Sequence, residues 1–162
     1  MNVLKAVIAG SLVASLGMGV TAAHAATATA TAKAKILRQV TVTNTTDLQF
    51  GTIVSAPTAS TVVVSTAGAR TCGTGLVCSG ASTAAAFAVT GTSGQVVTVS
   101  VPATVTLTSG TNSMLSTLNA SAATLTLVAN AGAFTVGGVL AVGANQADGD
   151  YSGTFNATVD YQ

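Results

Sequence analysis

Gly149-Asp150-Tyr151-Ser152-Gly153-Thr154-Phe155-Asn156-Ala157-Thr158-Val159-Asp160-Tyr161-Gln162 is the stretch whose reading decides the fold. Its odd positions carry Tyr151, Phe155, Ala157, Val159 and Tyr161. Its even positions are polar throughout, from Asp150 to Gln162. A period of two sends these sets to opposite faces of a β-strand. A terminal strand stays ordered only when something pairs with it. The pattern therefore predicts a seat in the domain's own sheet or pairing with another chain.

Working back from that strand, short β-branched runs recur between turn residues. The strand candidates are 61–65, 85–90, 95–101, 103–108, 123–129, 133–136 and 139–142. Pro57, Gly91, Gly94, Pro102, Gly110, Asn112, Gly132, Gly137-Gly138 and Gly143 stand between or beside them. Many short strands so punctuated predict an all-β sandwich or barrel. Leu48, Phe50 and Ile53 are expected to bury, with Gly51 allowing a bend. One helical turn is expected within residues 113–123. Phe50, Phe87, Phe134 and Phe155 occupy apolar strand positions and read as core.

The first 25 residues read as a secretory leader. Lys5 provides the charge, residues 6–20 the apolar run, and Ala23-His24-Ala25 a small-x-small site with cleavage between Ala25 and Ala26. The apolar run is short for a membrane span, which takes about 20 residues. The remaining span, 26 to 162, suits one domain. Its charges are Lys33, Lys35, Arg38 and Arg70 against Asp47, Asp148, Asp150 and Asp160. That balance makes no field to attract nucleic acid or an anionic membrane.

His24, the only histidine, leaves with the leader, and the chain has no glutamate. The commonest general base and metal ligand are then missing, and with them any serine–histidine pair. The expectation is a non-catalytic protein without a cofactor or metal. Asp148-Gly149-Asp150 offers two close carboxylates but not the ligand ladder of a calcium loop, so it reads as a turn. Asn44, Asn119 and Asn156 head glycosylation triplets, which arise by chance in a chain this rich in Thr and Ser.

Cys72 and Cys78 enclose Gly-Thr-Gly-Leu-Val. In an exported chain two cysteines pair, and this spacing matches neither a redox motif nor a four-ligand set. Closing so short a ring stabilises by about 2 kcal/mol.

Several stretches carry a resemblance. Ala26-Thr-Ala-Thr-Ala-Thr, Asn44-Thr-Thr-Asp-Leu-Gln-Phe-Gly51, Val142-Gly-Ala-Asn-Gln146 and Tyr151-Ser-Gly-Thr-Phe155 resemble the bacterial secreted family called domain of unknown function 4402. Gly149 and the penultimate Tyr161, with alternating apolar residues between, resemble the C-terminal signature of chaperone–usher pilus subunits. Asp-Leu-Gln-Phe-Gly resembles the segment after the first strand of spore-coat-U-type pilins.

The resemblance implies an immunoglobulin-like (pilin-like) β-sandwich over residues 36–162. It implies a periplasmic chaperone reading Gly149, Tyr151, Phe155, Val159 and Tyr161 by edge pairing, an outer-membrane usher, and like subunits joined in a fibre. The location implied is the periplasm in transit, then the cell surface. The rival expectation is a self-complete secreted adhesin or glycan-binding module, though the absence of Trp leaves a sugar platform thinly furnished.

Residues 26–35 alternate alanine with Thr or Lys, and Ile36, Val40 and Val42 continue the even face. Three readings stand side by side: a loosely held tail, the first strand of the domain's sheet, or a donor strand presenting Ala28, Ala30, Ala32, Ala34 and Ile36 to a neighbour. These alanines are smaller than the apolar residues usual in donor strands.

Overall fold

Twelve strands and no helix make up the described residues, 24 to 162, of the computed structural model. The leader falls almost wholly on residues 1 to 23, outside the described residues. No helix among the described residues is long and apolar enough to cross a membrane. The chain divides into two units, Met1–Ala34 and Lys35–Gln162. In the first, residues 24 to 34 are exposed and carry no strand.

The second unit opens with β1 (Thr41–Thr46), β2 (Thr52–Val54), β3 (Ser60–Val64) and β4 (Arg70–Cys72). Then come β5 (Val77–Ser79), β6 (Ala85–Thr90), β7 (Val96–Ser100) and β8 (Thr104–Ser109). It ends with β9 (Asn112–Ala120), β10 (Thr124–Thr126), β11 (Ala131–Val142) and β12 (Thr158–Tyr161). The largest sheet runs β1-β6-β11-β3-β4, with β9 joined to β11 and β8 to β9. A second sheet runs β10-β7-β12, and β2 pairs with β5 as a separate ribbon. Every strand pairing is antiparallel.

The fold is an all-β sandwich, because inward residues of both main sheets share one core. Phe87 and Val89 of β6 and Phe134 and Val136 of β11 pack with Val97 and Val99 of β7 and Val159 of β12. Phe87 stacks on Phe134 with ring centroids 5.0 Å apart, and Phe155 meets Phe87 edge-on at 6.2 Å. Both are favoured aromatic geometries. A second cluster gathers Phe50, Val62, Val64, Leu76, Leu140 and Val142. Each such side chain contributes about 1.5–3 kcal/mol on leaving water.

Three local expectations are corrected. Gly137-Gly138 does not divide two strands. β11 runs through it, pairing with β6 over residues 131–136, with β3 over 138–142 and with β9 over 136–140. A Cβ on Gly137 would lie 2.5 Å from the Val64 carbonyl oxygen. The glycine is there for close backbone approach, not for a turn. Residues 113–123 form no helical turn, because 112–120 are the strand β9, in register with β8 and β11.

The terminal strand is shorter than its pattern. Alternating burial persists from Tyr151 to Gln162, but a ladder forms only at β12, with an isolated bridge between Ser152 and Thr108 upstream. β12 pairs with β7 and the bridge reaches β8, and between those strands lies Pro102, which has no N–H to donate.

Candidate functional site

β1 and β12 are edge strands of different sheets, each with a single partner. They pass near one another without forming a ladder. A hydrogen bond draws the two sides together: Tyr161 Oη donates to the Arg38 carbonyl at 2.8 Å. The same oxygen accepts from the Thr92 N–H at 2.7 Å. Downstream of β1 and upstream of β12 the two sides diverge into a groove of about 830 Å³.

One wall is residues 48–55, which include β2; the other is residues 146–151. Between them lie Leu107, Met114, Leu140 and Val142. Beyond the groove the walls rejoin, where Ser55 Oγ donates to the Gln146 carbonyl at 3.1 Å and the Asn145 N–H to the Ala56 carbonyl at 2.8 Å. The result is a slot between the two walls. β2 uses one edge for β5 and leaves the other without a strand. An edge of that kind offers unpaired N–H and C=O groups to an incoming backbone.

Each wall is braced from behind. Gln49 exchanges both backbone bonds with Thr83, at 2.9 and 3.1 Å. Arg70 Nη1 donates to the carbonyls of Phe50 (3.1 Å) and Ser79 (2.8 Å), tying the wall to the β2–β5 ribbon. Gly51, at φ 79°, lets the chain turn beneath that guanidinium, where a Cβ would collide with it. Cys72, at the end of β4, is bonded to Cys78 in β5 across a Cα separation of 6.0 Å. The disulfide thus fastens the ribbon, and with it one wall, to the main sheet. On the other wall Gln146 Nε2 donates to Tyr151 Oη at 2.8 Å, and Tyr151 Oη donates to the Ala147 carbonyl at 2.8 Å.

The residues expected to pair with a chaperone divide between two places. Gly149 (φ 150°) and Tyr151 line the groove. Phe155 and Tyr161 are half-buried against the first core cluster, and Val159 lies within it. The proposed donor residues Ala28, Ala30, Ala32 and Ala34 are exposed and outside any strand, as are Ala25 and Ala26. Ile36 is 92% exposed, the most solvent-facing large apolar side chain among the described residues. Asp148 and Asp150 are exposed on the groove wall, and no group of three or more metal-ligating side chains converges among the described residues.

Sequence reasoning missed Leu107, Met114 and Leu140 as groove residues. They come from three strands, and their juxtaposition follows from sheet order, which a period of two does not encode. Three quoted motifs do meet here: Leu48 to Gly51, Val142 with Gln146, and Tyr151 all line the same slot.

The class defined by this geometry is an all-β sandwich domain with a lateral apolar groove. The chain belongs to the family described as domain of unknown function (DUF4402), whose sequence profile matches residues 40–161. Among curated proteins none matches the chain.

Proposed function

We propose that this protein is a non-catalytic structural subunit of a bacterial surface fibre, assembled by β-strand complementation. The observation that carries the reading is the slot between residues 48–55 and 146–151, with apolar side chains within it and, on one wall, the strand β2, which has an edge without a partner. An extended segment laid there pairs its backbone with that edge and covers the half-buried Leu48, Ile53, Leu107 and Met114, removing two liabilities together. The exposed segment ending at Ile36 supplies such a strand from a second copy, with Ala28, Ala30, Ala32, Ala34 and Ile36 turned inward.

On this reading a periplasmic chaperone holds the slot before assembly, and an outer-membrane usher passes subunits to the surface. The test is size-exclusion chromatography with light scattering on the chain from residue 26 onward, beside a variant lacking residues 26–35. The expected result is a ladder of oligomers from the first and a monomer from the second. Monomers from both, with equal melting temperatures, overturn strand complementation and favour an autonomous secreted binding module.

A further inference from the structure

The slot's only charged lining residues are Asp148 and Asp150, which stand on either side of Gly149 and are exposed on one wall. Among the described residues no lysine or arginine lines it. In residues 26–36 the only charges are Lys33 and Lys35, both at odd positions, while the even positions carry alanine and Ile36. A strand seated with its even face against Leu107 and Met114 turns its odd face away from them, toward solvent and the rim. The two cations are separated by the same two-residue interval as the two carboxylates.

We propose that Asp148 and Asp150 of one copy select and register the incoming segment of another by pairing with its Lys33 and Lys35. This inference rests on the strand-complementation reading and adds what orients the occupant. An alanine-rich strand specifies register weakly, because sliding it by two residues presents the same small side chains to the same places. The groove interior therefore distinguishes poorly between alternative seatings, whereas a pair of charges on one wall adds a preference, because a slide by two residues breaks one of the two ion pairs. Complementary charge also speeds encounter and disfavours wrong partners. In the isolated subunit Lys35 Nζ donates to Gln95 Oε1 at 3.0 Å, an exposed contact that exchange with a carboxylate replaces without loss of a hydrogen bond.

The experiment uses the chain from residue 26 onward and follows assembly by light scattering at low and high salt. Two exposed ion pairs together are worth about a five-fold change in association. Asp148→Asn with Asp150→Asn slows assembly by about that factor at low salt and flattens the salt dependence. Lys33→Asp with Lys35→Asp, and Asp148→Lys with Asp150→Lys, each assemble poorly alone. Mixed in equal amounts they assemble together, because each then offers the charge that the other's groove lacks. Equal melting temperatures across the set confirm that the fold is intact.

If the unsubstituted chain assembles and the charge variants match it in rate and salt response, the charge pairing is overturned while strand complementation stands. Should the unsubstituted chain not assemble at all, both readings fall. Failure of the mixture to recover what its separate components lose also overturns the pairing.

Discussion

Tyr161 donates its phenolic proton to the carbonyl of Arg38, 123 positions earlier in the chain, at 2.8 Å. The hydroxyl is filled from its other side by the Thr92 N–H. One side chain of the last strand thus holds the entry to the first strand and the turn after β6. Tyr161→Phe keeps the ring, removes both bonds and leaves an N–H without its acceptor. Its expected cost is about 1–2 kcal/mol in chemical denaturation. Amide exchange should rise at residues 38–40 and 92 ahead of the core strands. Unchanged protection there sinks the assignment of Tyr161 as the tie between the two edges.

Removing the disulfide tests the bracing of the groove. Cys72→Ser with Cys78→Ser is expected to lower stability by about 2 kcal/mol, since only a short ring is opened. The expected loss of protection is local, at β2 and β5, because β4 and β5 are no longer fastened. A uniform loss across all strands contradicts the role given to this bond.

Gly137 separates two explanations for a glycine within a strand. A Cβ there meets the backbone of Val64, Ser65 and Thr66 at 2.5 to 2.8 Å, and backbone cannot step aside as a side chain does. Gly137→Ala is expected to cost about 1–3 kcal/mol from overpacking alone, read as a lower denaturation midpoint. Gly94→Ala is the control, with nothing within 4 Å of its Cβ and a φ of 76°. Its cost is the backbone's alone, about 1 kcal/mol. A smaller penalty at Gly137 than at Gly94 excludes the close-approach account.

Neighbours on β11 give the sharpest contrast of faces. Leu140 is 2% exposed and Val139 37%. Leu140→Ala is expected to cost about 2–5 kcal/mol, the range for emptying a packed leucine site. Val139→Ala, on the outer face, is expected to cost under about 1 kcal/mol. Comparable losses at the two positions contradict the register of β11 described here.

Much of the fold is legible in the sequence. Alternation in residues 151–162 matches the burial seen there, with Val159 buried and Tyr151, Phe155, Ala157 and Tyr161 half-buried. The strands at 85–90, 96–100 and 104–109 fall where β-branched runs sit between turn residues. The misreading of Gly137-Gly138 had a physical source. Glycine marks both turns and close backbone contacts, and only the neighbour decides which. Residues 113–123 misled for a similar reason. Met114, Ser116 and Leu118 alternate with exposed residues, but Leu115 breaks the polar face, and its place in a strand comes from β8 and β11 on either side.

The sequence by itself determined the strand-forming character of this protein, its inward faces, its near-absence of charge and the pair of cysteines. These are properties of single residues and their immediate neighbours, set by side-chain chemistry and a period of two. Only the tertiary structure decided that residues 48–55 and 146–151 face each other across an apolar slot. That depends on which strands become sheet neighbours, and pairing between distant segments is settled by how the whole core packs.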